Sequence, residues 1–374
     1  MKVLYFSDNI SDHNRRFLGK ISEAGVECCF LDPTTDSLPD GWLPTGVRWL
    51  KTRQKLERSL LPSQFAEFLP EFQECLQEIR PDLIHAGPSP TAGYVTALSG
   101  FHPWLLVSWG WDVLYQPEQG PGWKQATKLA VSQADGLLVD CDAVHEKVHE
   151  YADIPDSRIV QFPMGIKKGL FSPSGQQLRE DEFAREPGTC TFISTRSWEP
   201  LYAVDVLLAA FRLAYSRNSS LRLVLLGSGS QAAQIREFIR VHGLERVIQT
   251  PGKISPGDAP KWFRAADFYV SCARTDGTSI SLLEAMATGL PVVVTDIPSN
   301  REWVTSGHNG WVAASGSAEE FADRMLRAAG LTKEQRKQIS ERNQRIVAER
   351  ADWDRNFPRL VQMYEQLTAL PVVR

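Results

Sequence analysis

Short runs of continuous apolar residues alternate with longer amphipathic stretches along this chain of 374 residues. The runs at 3–6, 83–85, 105–108 and 136–139 predict strands, as do those at 191–194, 223–226, 268–270 and 292–295. Unbroken hydrophobicity implies strands covered on both faces, as in parallel sheets. Helical periodicity fills the gaps, for example over 204–215 and 231–241. This alternation predicts an α/β architecture with right-handed crossovers. The pattern restarts near residue 190, after a polar and charged loop over 172–188, so two domains are expected. The boundary falls in 162–173, around Pro163-Met-Gly165. The expected division is 1–165, 166–350 and a final amphipathic, aromatic-rich helical stretch over 351–374.

Composition narrows the class. Hydrophobic residues make up 43% and charged residues 23%, ordinary for a globular chain. A formal net charge of -4 argues against a nucleic-acid partner held by bulk charge. There is no apolar run long enough to span a bilayer. Residues 1–6, followed by Ser7-Asp-Asn, read as a first strand and not as a signal peptide. Cys28, Cys29, Cys75, Cys141, Cys190 and Cys272 show no metal-ligand spacing, which fits reduced, buried thiols and a cytoplasmic location. Residues 48–61 are basic, with Trp49, Leu50, Leu56 and Leu60 as apolar positions. Such a segment is either an ordinary surface helix or a peripheral contact with an anionic membrane.

The chemistry concentrates in Asp276-Gly-Thr-Ser-Ile-Ser-Leu-Leu-Glu284. A Gly/Thr/Ser loop opening a helix offers free N–H groups and a positive dipole end, which suits an anion. One acid before that site and one after it fit a ligand with phosphate in the middle and hydroxyls at both ends. A nucleotide sugar has this layout. Arg196 follows the strand at 191–194, where a guanidinium can grip a diphosphate with two N–H groups and stay charged. Gly227-Ser-Gly-Ser-Gln-Ala232 also follows a strand. It could be a dinucleotide fingerprint, but that fingerprint belongs on the first strand of its domain and this is the second. No Asp-x-Asp stands at a strand end in this half. Asp140-Cys-Asp142 has the spacing but is expected to cap the helix that follows. No metal and no bound cofactor are expected.

The segment resembles the E-x7-E motif of the retaining family 4 glycosyltransferases, which have the GT-B fold. The likeness extends to 265–271, to Asn300-Arg-Glu302 and to Gly307-His-Asn-Gly310-Trp-Val, and covers roughly residues 190–330. It implies two Rossmann-like domains facing a cleft, with a last helix crossing back to the N-terminal domain. It also implies a nucleoside-diphosphate sugar as substrate. By resemblance, Glu284 binds the donor ribose and Asp276 a donor sugar hydroxyl. Gly277, Thr278 and Ser279 give N–H bonds to the diphosphate or sugar, and Gly227 forms part of the nucleotide-side wall. The loop containing Lys253 and Ile254 packs on the base. The family pairs Arg196 with a Lys six residues on. Here that residue is Tyr202, whose phenol could donate to a phosphate, with Lys253 and Arg274 as substitute cations.

In the N-terminal half the resemblance is looser. Ser7–Asn14 replaces a Gly-Gly loop, and His13 is either a ligand contact or a helix-end residue. His85 begins a segment like the family's H-x6-G, and could equally be a half-buried strand-end histidine. Ser108-Trp-Gly-Trp-Asp112 stands where the family has H-G-x-D. Trp109 replaces the histidine, and Asp112 is a candidate acceptor contact. The acceptor itself, whether sugar, lipid or small molecule, is not legible. Rival expectations are a sugar-nucleotide-binding protein without turnover, and an epimerase or phosphorylase on the same fold.

Overall fold

The computed structural model describes residues 1–57, 61–166, 169–176, 178, 183 and 186–369. The chain divides into two compact units. The first comprises Met1–Met164 and Asp354–Arg374, and the second Gly165–Trp353.

The first unit is built on seven parallel strands: β1 (Lys2–Phe6), β2 (Glu27–Leu31), β3 (Val47–Leu50), β4 (Leu83–Ala86), β5 (Trp104–Val107), β6 (Gly136–Val139) and β7 (Ile159–Gln161). Their order is β3-β2-β1-β4-β5-β6-β7. β4, β5 and β6 are buried at every position, which is why they read as unbroken apolar runs. β3 and β7 lie at the edges and are only partly buried, so polar residues interrupt them. The pattern alone did not predict β2, β3 or β7. Below the sheet, Phe6 stacks on Phe72 at 4.7 Å and lies 6.1 Å from Phe68.

The expected last helix is two helices, Trp353–Asn356 and Pro358–Ala369. Pro358 supplies no N–H and so starts a new helix instead of extending the first. The second helix buries Leu360, Met363, Tyr364 and Leu367. A Cβ on Gly136 would meet Leu367 at 3.0 Å and Met363 at 3.3 Å, so this glycine lets the helix lie against β6. Residue 370 lies outside the described residues.

The surface helix expected over 48–61 is absent from the described residues 48–57. Residues 48–50 belong to edge strand β3, and 51–57 carry no helix. Leu56 is buried in the hydrophobic core. The apolar positions thus serve strand and core, while residues 58–60, Leu60 among them, lie outside the described residues. No described helix is long and apolar enough to cross a membrane. The helix Asp142–Tyr151 also departs from expectation. Its N-cap is Cys141, and Asp142 sits in the first turn, where its charge meets the positive helix end.

The second unit carries six parallel strands: β8 (Cys190–Ser194), β9 (Leu221–Leu226), β10 (Ile248–Gly252), β11 (Phe268–Ser271), β12 (Val292–Thr295) and β13 (Gly310–Ala313). Their order is β10-β9-β8-β11-β12-β13. Buried Asn343 fastens one end of the core. Its amide donates to the carbonyls of Leu290 (2.9 Å) and Asn309 (3.1 Å) and accepts from the Asn309 side chain (3.0 Å). A buried amide so satisfied fixes register instead of costing stability.

Both sheets wind outward from a central strand in two directions. Strand order therefore reverses between β1 and β4 and again between β8 and β11. Loops leaving the carboxyl ends of such neighbours part from each other and open a crevice for ligands. Arg196 follows β8 and Asp276 follows β11, so the reversal brings two residues 80 positions apart to one place.

Candidate functional site

In the second unit, Arg196 Nη2 lies 2.7 Å from Asp276 Oδ2, with both side chains mostly buried. Arg196 Nη1 donates to the hydroxyls of Ser279 (2.7 Å) and Ser281 (3.2 Å). The Tyr202 ring lies under the guanidinium, 4.0 Å from ring centroid to Cζ. Burial opposes the Arg196 charge, but Asp276, Tyr202 and Tyr269 together outweigh it and the pKa is raised. Burial raises the pKa of Asp276, and Arg196 and the Gly277 N–H oppose that rise. Arg196 Nε is buried and has no hydrogen-bond partner among the described residues. A donor left in this state costs stability unless something arrives to accept from it.

Four of the expected residues are therefore brought together: Arg196, Tyr202, Asp276 and Ser279. Gly277, Thr278 and Ser279 are buried and lead into the helix Ile280–Ala287, with Ser279 as N-cap. Glu284 is half-buried on that helix. Tyr202, whose phenol could donate to a phosphate, packs its ring face on Arg196 and holds the guanidinium plane. Ser281 was not foreseen. Its hydroxyl also meets Tyr269 Oη at 2.7 Å, and its position two residues past Ser279 on the first helical turn was the available signal.

The Gly227 loop is fastened to the loop of Arg196. Gly227 has φ +108°, and a Cβ there would stand 2.8 Å from the Arg196 carbonyl oxygen. A Cβ on Gly229 would stand 2.4 Å from the Trp198 carbonyl oxygen. The Trp198 N–H donates to Ser228 O at 3.0 Å, and the Ser230 N–H donates to Glu199 Oε1 at 2.9 Å. Gly227 donates in turn to Gly252 O at 2.8 Å, next to exposed Lys253 and half-buried Ile254. Trp198 and Glu199 escaped the sequence reading because neither matches a motif.

In the first unit, the loops after β1, β4 and β5 are tied together. Asp112 is fully buried and accepts from the Ser89 N–H (2.8 Å), the Ser108 hydroxyl (2.9 Å) and the Trp109 N–H (2.8 Å). Burial raises its pKa and these donors oppose the rise. This buried carboxylate fastens the loops after β4 and β5 to each other and holds the Trp109 backbone. His13 and Trp109 do come together, with ring centroids 5.7 Å apart. Buried Asn14, also unforeseen, accepts from the Tyr5 hydroxyl and donates to Ser7 Oγ, both at 2.8 Å.

His85 is fully buried, more so than the half-buried strand-end histidine that was one of its two readings. It lies 4.6 Å from the Tyr5 ring and 5.6 Å from that of Phe17, and its Nδ1 meets the Tyr364 hydroxyl. It is a core residue. Burial holds its pKa down at about 3. Burial, with Arg16 second, lowers that of His13 to about 4. Both start from 6.5, so below that pH the unfolded chain takes up protons that the folded chain refuses. Stability from this source is full above pH 6.5 and is lost as pH falls towards 3. Denaturant midpoints measured from pH 7 downwards should therefore fall, and His85→Gln, which keeps an acceptor for Tyr364, should flatten the slope. An unchanged slope would remove His85 as the cause.

Comparisons with known proteins follow the same division. The family model for glycosyl transferases group 1 matches residues 179–346. A glycosyl transferase 4-like model matches residues 2–141. A D-inositol 3-phosphate glycosyltransferase of Pseudarthrobacter chlorophenolicus is 26% identical over 170 residues, 44% of this chain and 40% of that protein. The alpha-monoglucosyldiacylglycerol synthase of Streptococcus pneumoniae is 24% identical over 166 residues, 42% of this chain and 37% of that protein. The chain thus spans about two fifths of the length of these relatives. Among solved structures, sucrose-phosphate synthase from Thermosynechococcus elongatus aligns with a TM-score of 0.86 at 16% identity, covering 99% of this chain and all of that one (100%). Anabaena HepE, in complex with UDP and glucose, aligns with a TM-score of 0.80 at 19% identity, over 99% of this chain and 100% of its own. At such identities the structural likeness establishes the fold.

Proposed function

We propose that this chain, which belongs to the glycosyl transferases group 1 family, moves a sugar with retention from a nucleoside-diphosphate sugar to an acceptor hydroxyl, without a metal. The observation that carries this reading is the buried Arg196 guanidinium. It is held by Asp276, Ser279 and Tyr202 beside a helix N-terminus, with Nε left unpartnered.

In this reading the bond from the sugar carbon to the diphosphate oxygen breaks, and a bond from that carbon to the acceptor oxygen forms. The acceptor proton passes to the leaving phosphate. Arg196 and the N–H groups from Gly277 to Ile280 face the charge that develops on the diphosphate, the kind of preorganised field that lowers such a barrier. Asp276 takes a sugar hydroxyl and Glu284 the ribose. Tyr202 supplies no second positive charge. Arg274 is the nearer substitute by connectivity, because its N–H donates to Leu201 O at 2.9 Å and so binds its segment to the Pro200–Tyr202 turn. Exposed Lys253 is the other. On the acceptor side, Trp109 and His13 offer an aromatic face and a neutral imidazole.

The test is release of free nucleoside diphosphate from UDP-, GDP-, ADP- and dTDP-sugars, with and without a chelator. UDP-sugars come first because HepE binds UDP. One donor should turn over slowly, and equally well with the chelator present. Glu284→Ala should abolish nucleotide binding, whereas Asp276→Ala should spare binding and remove turnover. An Asp276→Ala protein working at near wild-type rate would overturn the site. Nucleotide binding without release from any donor, across a panel of sugar, lipid and small-molecule acceptors, would favour a binding protein.

A further inference from the structure

The helix Asp142–Tyr151 carries His145 and His149 four residues apart, hence on one face. Their rings stack with centroids 5.2 Å apart and planes inclined by 26°. The turn Asp156–Arg158 then directs Asp156 back at the pair. Its Oδ1 lies 3.1 Å from His145 Nε2 and 3.2 Å from His149 Nε2. All three atoms lie within 4.8 Å of one another. In a tetrahedral site with bonds of about 2.0–2.2 Å, neighbouring ligand atoms stand about 3.3–3.5 Å apart. The two carboxylate–imidazole edges are therefore close to ligating geometry before any ion enters.

A second, independent feature fixes the imidazole. Gln161 Nε2 donates to Asp142 Oδ1 at 2.5 Å, which determines which way the Gln161 amide faces. Its Oε1 then meets His145 Nδ1 at 2.7 Å. An amide oxygen only accepts, so Nδ1 carries the proton and Nε2 is the nitrogen aimed at Asp156. Metal-bound histidines are commonly oriented in this way by a partner on the other ring nitrogen. Asp156 Oδ1 can accept an N–H from each ring when one imidazole is protonated, and a single cation in place of those two hydrogens satisfies all three atoms.

We propose that His145, His149 and Asp156 form a binding site for a divalent transition-metal ion of the zinc class. Two imidazoles and one carboxylate favour such an ion over magnesium or calcium, which prefer all-oxygen sets. The side chains are 27%, 36% and 79% exposed, so an ion reaches them from solvent and water completes its coordination. The ion ties the end of the helix to the turn that leads into β7. The site lies in the first unit, and the Arg196–Asp276 cluster lies in the second, so this inference stands apart from the proposed transfer reaction.

The test is titration of the chelator-stripped full chain with Zn²⁺ against a chromophoric chelator, alongside thermal melts. One zinc per chain should bind, with a rise in melting temperature. His149→Ala and Asp156→Ala should each weaken uptake by about tenfold or more, and Gln161→Leu by about tenfold. His149 and Asp156 are exposed, so their variants should fold as the wild type does without zinc. Equal zinc uptake by wild type and His149→Ala would overturn the site. So would no uptake at about 100 µM free zinc, where a site with a Kd of about 1 µM would be full.

Discussion

Arg196→Ala will lower turnover of the donor by about a thousandfold, the loss expected when a preorganised donor facing developing charge is removed. The same change will destabilise the second unit, because the Asp276 carboxylate keeps its burial and loses its cation. Breaking a fully buried pair costs about 3–5 kcal/mol, and the partial exposure here, 10% for Arg196 and 15% for Asp276, reduces that to about 2–3 kcal/mol. Adding Asp276→Asn to Arg196→Ala should restore most of the stability and none of the turnover. Arg196→Lys keeps the charge but loses the planar fork that reaches Ser279 and Ser281 and stacks on Tyr202. It should retain the fold and only a small part of the rate. Product release and denaturant unfolding on the four proteins check this. Turnover within about threefold of wild type in Arg196→Ala would exclude the guanidinium from the reaction, since a lost charge-facing donor costs far more.

Gly227→Ala will damage the same site through the backbone. The position has φ +108°, which disfavours any side chain, and the new Cβ would press on the Arg196 carbonyl oxygen from 2.8 Å. Backbone strain and overpacking together are expected to cost about 2–4 kcal/mol and to move Arg196 off its partners. Gly243 is the control. Its φ is +63°, but no atom lies within 4 Å of its Cβ position, so Gly243→Ala should cost only about 1 kcal/mol and leave nucleotide binding intact. Denaturant midpoints and nucleotide titrations on the two variants separate strain from close approach. Equal effects at both positions would mean that the Gly227 loop does not hold Arg196.

The sequence by itself determined the α/β class and the central strands. β4, β5, β6, β8, β11 and β12 are buried on both faces, and burial on both faces writes an unbroken apolar run. It also singled out the loop and helix start at 276–284, because a Gly/Thr/Ser loop opening a helix has local requirements that local residues reveal, and the helix Ile280–Ala287 begins there. Edge strands β3 and β7 were not legible, since an exposed edge admits polar residues and erases the signal.

Only the tertiary structure decided what the site residues touch. Strand order, not spacing along the chain, sets Arg196 beside Asp276. The stacking of Tyr202 on Arg196, the fastening role of Asp112 and the core position of His85 depend on neighbours far away in sequence. The His145–His149–Asp156 cluster has the same origin. The helical spacing of its two histidines is written in the sequence, but the turn that returns Asp156 to them exists only in the folded chain. A residue's type is local information, whereas its partners are fixed by how distant segments pack.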